Sequence, residues 1–102
     1  MKPTGLTKLC SNATAVGPQE WYRLRQGEFK RLFQVSVSGT ASVDIEATLD
    51  IGDQYVLPVK IQTAVTTNAG FVDEEPWTYV RANIVSRTSG QVSVTLRERE
   101  VP

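Results

Sequence analysis

The sequence predicts a single all-β domain, an antiparallel β-sandwich of jelly-roll-like or Ig-like type with about six to eight short strands. Residues 41–51 provide the first observation, because apolar and polar side chains alternate there at every position, as on a strand with one dry face. Similar alternating runs fill most of the chain and are separated by Gly, Pro and Asn turn signals. No long stretch keeps a helical period.

The two ends of the chain are expected to lie outside the sandwich. Residues 1–9 mix Pro, Gly and Lys without a period and predict an N-terminal arm. Residues 98–102 predict a charged C-terminal tail that frays. The sandwich itself is expected to span residues 10–97.

In the first half of the domain, glycines mark the predicted turns. Gly17-Pro18 is a turn signal, and residues 29–38 alternate regularly after it. Gly39-Thr40 predicts a type II′ hairpin turn that leads into residues 41–51, because glycine readily adopts the positive φ that this turn requires. Gly52-Asp53 predicts the next turn.

The second half is predicted to contain an edge strand, a loop and a closing hairpin. The strand around Pro58 is expected to lie at an edge or to carry a bulge, because proline has no N–H to donate. Residues 68–76 predict a loop, and residues 86–90 predict a hairpin loop between the last two strands. The inward residues of those two strands are expected to be Val80, Ala82, Ile84, Val92, Val94 and Leu96.

Composition excludes several classes of protein. The chain has 102 residues, which suits one domain, and its 11 basic and 11 acidic side chains give a net charge of zero. A nucleic-acid partner is not expected, because binders of nucleic acid carry a basic excess. A membrane partner is not expected either, because no apolar run approaches the length of a span. The single cysteine, Cys10, and the lack of a secretory signal favour assembly in a cytosol.

The charges are unevenly distributed along the chain. Basic residues predominate in residues 1–40 and acidic residues predominate in residues 41–80. Patches of opposite sign allow docking onto copies of the same chain or onto a complementary scaffold. The residues predicted from charge alone to contact partners are Lys2, Lys8, Arg23, Arg25, Asp73, Glu74 and Glu75.

The sequence predicts no catalytic, metal-binding or cofactor-binding residues. Histidine is absent, which removes Ser-His-Asp and Cys-His chemistry and the commonest zinc ligand. Cys10 lies among small residues and is interpreted as a packing residue. Asp44 and Glu46 stand two apart on the polar face of one predicted strand, where such pairs are common without any catalytic role. We therefore expect a protein that is not an enzyme.

An alternative is a carbohydrate-binding module. Trp21, Trp77 and Tyr79 are the residues that would form its stacking platform. Aromatic side chains in a small β domain more often pack in the core or at its rim, so this remains the second interpretation.

The segment Pro76-Trp77-Thr78-Tyr79-Val80-Arg81-Ala82, followed by Gly90-Gln91-Val92-Ser93-Val94, resembles small structural proteins of tailed bacteriophages. In those proteins, a "PW-x-YVRA" strand leads through a Gly-containing turn to a final "G-x-V-x-V" strand. The run from Gly39 to Glu46 is similar to them as well, and the likeness extends over residues 35–96.

The resemblance implies a β-sandwich component of the virion that is assembled in the host cytoplasm. The implied partners are capsid or other virion proteins, with a closed homo-oligomer, most often a trimer, at a local symmetry axis. Decoration of the capsid is the leading expected role, by bridging neighbouring capsid subunits. A neck or tail accessory that joins head and tail is the alternative role.

Overall fold

The computed structural model describes residues 5–27, 29–51 and 57–100. These residues form nine β-strands and no helix. The strands are β1 (Gly5–Ala13), β2 (Gly17–Pro18), β3 (Tyr22–Arg23), β4 (Phe29–Ser38), β5 (Ala41–Thr48), β6 (Val59–Val65), β7 (Ala69–Asp73), β8 (Tyr79–Arg87) and β9 (Gln91–Glu100). None of the described residues belongs to a helix that would be long and apolar enough to cross a membrane. The all-β prediction is confirmed.

The strands form two antiparallel sheets. Sheet A has the order β1-β9-β4-β7, and sheet B has the order β2-β8-β5-β6. The short strand β3 also pairs with β8, so β2 and β3 act as one interrupted edge strand. Counted in this way, the chain alternates between the two sheets at every step except from β5 to β6. This is the topology of a jelly roll, one of the two kinds of sandwich that the sequence predicts.

The core lies between the sheets and follows the alternation of the strands. Each of the six inward residues predicted in the last two strands, β8 and β9, is fully buried, as are Val35, Val43 and Ile45. Phe33 of β4 stacks on Phe71 of β7, with ring centroids 5.1 Å apart. Burying a large apolar side chain contributes about 1.5–3 kcal/mol, so these rows are the main source of stability.

Two predicted hairpins are connections between sheets. The predicted turn at Gly39-Thr40 joins β4 in sheet A to β5 in sheet B, and residues 88–90, within the predicted second hairpin loop, join β8 in sheet B to β9 in sheet A. The expected positive φ at Gly39 is present, at 80°. Hairpins and inter-sheet connections place the same alternating residues inward, so alternation alone does not separate them.

The loop predicted over residues 68–76 contains a strand. Residues 69–73 form β7, which pairs with β4 at the edge of sheet A. Gly17-Pro18, predicted as a turn, is the short strand β2. The prediction that the strand after Pro58 lies at an edge is confirmed, because β6 pairs only with β5 among the described residues. The turn predicted at Gly52-Asp53 lies outside the described residues.

The apolar alternation of residues 41–51 ends earlier than the sequence indicates. Strand β5 ends at Thr48, and Leu49 and Ile51 are exposed at 62% and 47%. Leu57 and Val59, on the other side of the same connection, are exposed as well. Leu49, Ile51 and Leu57 lie outside the strands, whereas Val59 is the first residue of β6 and lies opposite Ala47.

Both predicted domain boundaries fall inside strands. β1 begins at Gly5 and pairs with β9, and its residues Leu9 and Cys10 are buried. β9 continues to Glu100, and Glu98 is buried. The pairing of β1 with β9 and of β9 with β4 satisfies backbone groups there, so the sandwich includes residues predicted to belong to the arm and the tail.

Candidate interaction surface

The outer face of sheet A combines exposed apolar and basic side chains. Leu6, Arg97, Leu32 and Val72 form one row across all four strands, because each lies opposite the next in the strand pairing. Leu6, Leu32 and Val72 are exposed at 61%, 47% and 59%. Single exposed apolar residues are ordinary, but a row across a whole sheet is typical of a contact surface.

Four cations accompany this row. Lys8, Lys30, Arg97 and Arg99 occupy outward positions of β1, β4 and β9. Lys30 lies 3.5 Å from the carboxylate of Glu74. The other three have no ion-pair partner among residues 5–27, 29–51 and 57–100. The outward positions of the described strands of sheet A include no acidic residue, so this face carries an uncompensated positive charge.

Two shallow depressions lie on either side of Leu32. One is lined by Leu6, Leu32, Gln34, Thr95 and Arg97. The other is lined by Leu32, Gln34, Asn68, Ala69, Gly70 and parts of Phe33 and Val35. The second depression arises because Gly70, directly opposite Gln34, has no side chain. We call this face, with the apolar row and the four cations, the basic face.

Behind the basic face, a buried ion pair joins Arg31 of β4 to Glu98 of β9, at 3.4 Å. The Glu98 carboxylate also accepts hydrogen bonds from the Tyr22 hydroxyl at 3.0 Å and from the Arg25 backbone N–H at 2.8 Å. Arg31 in turn donates to the backbone carbonyls of Arg25 and Glu75. The pair therefore fixes two loops to sheet A, which is a structural role.

The outer face of sheet B holds its carboxylates in internal contacts. Glu46 accepts hydrogen bonds from Arg81 Nε at 2.7 Å and from Asn83 Nδ2 at 2.9 Å. Asp44 lies 3.1 Å from Lys60 Nζ and accepts the backbone N–H of Ala64, a residue with a φ of 53°. Each carboxylate thus pairs with a cation, and Asp44 also satisfies a backbone N–H of the irregular strand β6. These contacts indicate a structural role for the two carboxylates and not a catalytic one.

The three aromatic residues predicted as a platform occupy different environments. Trp77 packs against the core. Trp21 has the guanidinium of Arg81 4.2 Å from its ring centroid, so one face of the indole is already occupied. Tyr79 is partly exposed on β8, opposite Arg23. Each of the three side chains is only partly exposed.

The residues predicted from charge alone are dispersed. Lys8 belongs to the basic face, whereas Arg23 lies on sheet B. Arg25 contacts the buried pair through its backbone and through its guanidinium, which lies 3.9 Å from Glu98, and Glu75 contacts Arg31 through its backbone carbonyl. Asp73 accepts the backbone N–H of Glu75, and Glu74 pairs with Lys30. Lys2 lies outside the described residues.

The main residues that sequence reasoning missed are Leu32, Arg97, Arg31 and Glu98. The sequence did contain a signal for the last two. Arg31 is two residues before Phe33 and Glu98 is two residues after Leu96, so both stand at inward positions of alternating runs. Opposite charges at inward positions of two strands indicate a buried pair. Leu32 and Arg97 stand at polar-face positions, and only the strand order brings them side by side.

No metal site is visible among the described residues, because no group of His, Cys, Asp and Glu side chains there converges. Comparisons of the chain with protein-family models, with curated proteins and with solved structures each find no match.

Proposed function

We propose that this chain is a non-enzymatic structural protein of a tailed-phage particle that docks onto a larger protein surface. Its leading role is capsid decoration, in which each copy bridges neighbouring capsid subunits. The resemblance of residues 76–94 to phage structural proteins suggests the particle, and the open basic face supports docking.

The observation that carries this proposal is the contrast between the buried and the exposed charges. The buried carboxylates of Asp44, Glu46 and Glu98 each pair with a cation and accept a hydrogen bond from a further backbone or side-chain group of the same chain. Lys8, Arg97 and Arg99, in contrast, surround an uncovered apolar row. A catalytic site needs titratable side chains that a substrate can reach, whereas a docking site needs an exposed apolar surface.

The jelly-roll topology is compatible with this role without selecting it. Jelly rolls occur in viral capsid proteins, in lectins and in cupins, so the argument depends on the surface and not on the fold. The carbohydrate-binding alternative has less support, because Trp77 packs inward and Arg81 covers one face of Trp21.

Particle rupture tests the decoration role. Particles that lack this protein are expected to release their DNA at a lower temperature than complete particles, because bridging contacts between capsid subunits are missing. Adding the purified chain should restore the rupture temperature. Rupture at the same temperature with and without the chain would contradict capsid stabilisation and favour the neck or tail role.

A further inference from the structure

We propose that the basic face binds an acidic protein surface that presents an apolar projection to the row Leu6-Leu32-Val72. This inference rests on the proposed function and assigns the docking surface and the chemistry of the partner. Among the contact residues predicted from charge alone that the structure describes, Lys8 lies on this face, and Glu74 borders it through its ion pair with Lys30.

The positive charge of the basic face indicates that its partner is negatively charged. Lys8, Arg97 and Arg99 form no ion pair within the described parts of the chain, and no acidic residue stands at an outward position of the described strands of sheet A. A partner with carboxylates at its rim would satisfy these cations and speed the encounter. A second copy docked by the same face would bring like charges together, so face-to-face self-pairing is disfavoured.

The centre of the face indicates a protein and not a nucleic acid. Arg97 lies between Leu6 and Leu32 in the strand pairing, so its stem is flanked by apolar side chains on both sides. The two depressions beside Leu32 are lined largely by apolar atoms and neutral polar groups. Phosphate backbones are recognised by continuous cationic or hydrogen-bonding surfaces, whereas an apolar row between cations fits a protein interface with an apolar centre and a polar rim.

The structure offers matched variants for a test. Leu32→Ser and Arg97→Gln change the centre of the basic face. Val85→Ser and Arg23→Gln are the controls on sheet B, since Val85 is exposed at 49% against 47% for Leu32, and Arg23 is likewise exposed. All four side chains are at the surface, and unfolding curves will verify that each variant folds.

The experiment measures binding of the purified chain and its variants to particles that lack this protein. We expect Leu32→Ser and Arg97→Gln each to weaken binding about tenfold, as residues at the centre of an interface do. The two controls should remain within about twofold of the wild-type chain. Raising NaCl from about 0.1 M to about 0.5 M should weaken the binding of the wild-type chain more than the binding of Arg97→Gln. Salt screens the charge pair that Arg97 makes with the partner, and the variant does not have this pair.

Three outcomes would overturn the inference. If the wild-type chain binds and the basic-face variants bind equally well, the docking surface is wrong while the proposed function stands. If the wild-type chain binds no particle, the proposed function fails and the inference fails with it. If a duplex DNA probe binds the wild-type chain tightly, and Arg97→Gln but not Leu32→Ser abolishes that binding, the partner is a nucleic acid.

Discussion

Glu98 shows how a single residue in an alternating strand can connect separate parts of the fold. Its carboxylate has no exposed surface and is held by Arg31, Tyr22 and the backbone of Arg25. A buried carboxylate is costly to desolvate, and only a complete set of donors offsets that cost. The contacts of Glu98 reach β3, β4 and the loop between them, so it organises one end of the sandwich.

Neutralising Glu98 is therefore expected to destabilise the fold strongly. Glu98→Gln leaves the guanidinium of Arg31 buried without its counter-charge, and we expect a loss of about 3–5 kcal/mol in the free energy of unfolding. Urea unfolding followed by tryptophan fluorescence measures it. Glu74→Gln is the control, because its ion pair with Lys30 is about 60% exposed on both sides and should contribute less than about 1 kcal/mol. Equal losses in the two variants would contradict the structural role of Glu98.

The buried thiol of Cys10 makes the stability of the fold depend on pH in the alkaline range. Burial raises the pKa of the Cys10 thiol above its ordinary value of 9.0, so the folded chain retains the proton longer than the unfolded chain. Below the unfolded pKa both states are protonated and stability is unaffected. As pH rises from there through the folded pKa, the unfolded thiolate is favoured and stability falls.

The measurement compares urea midpoints of the wild-type chain and Cys10→Ala between about pH 7 and about pH 10. The wild-type chain should lose more stability over this range than the variant, because only the wild-type chain carries the buried thiol. If the urea midpoints of the two proteins fall in parallel with pH, burial does not raise the pKa of the Cys10 thiol.

At the scale of elements, the two connections next to Gly39 and Gly90 lock the sheets together. They pack backbone to backbone, and a Cβ on Gly90 would collide with the carbonyl of Ser38. Gly39 and Gly90 both have positive φ, at 80° and 83°. Side chains are excluded there by conformation and by space at the same time.

Gly90→Ala tests this contact. We expect a loss of about 3 kcal/mol or more in the free energy of unfolding, from the strained φ and the forced shift of backbone atoms. Gly70→Ala is the matched control, because its φ is not positive and the nearest atom to an added Cβ is 3.6 Å away. Thermal unfolding by circular dichroism measures both. A loss in Gly90→Ala no larger than in Gly70→Ala would contradict the close approach of the two connections.

Period-two alternation predicted the long strands and most of their inward residues, as Val80 and Val94 show, but it missed β7 and the short strand β2. It did not predict which strands pair, because an inter-sheet connection at Gly39 and a hairpin place the same side chains inward. The surface was less predictable for a related reason. Leu32 and Arg97 are separated by 65 positions in sequence and become neighbours only through the pairing of β4 with β9.

At the scale of the whole molecule, the net charge is zero but the charges are unevenly distributed over the two sides of the sandwich. The basic face lies on one side of the sandwich, while Asp44 and Glu46 on the other side are largely neutralised by Lys60 and Arg81. The purified chain is expected to form a closed homo-oligomer, often a trimer, as the resemblance to phage proteins implies. Sedimentation equilibrium measures this, and a monomer at all concentrations tested would contradict it.

If this chain is a structural component of a phage particle, as we propose, it is present in purified particles. The first measurement is therefore its copy number there, by quantitative mass spectrometry against the major capsid protein. We predict a copy number on a par with that of the capsid protein, as decoration requires. A handful of copies would move the chain to the neck or tail, and its complete absence from the particles would contradict the account.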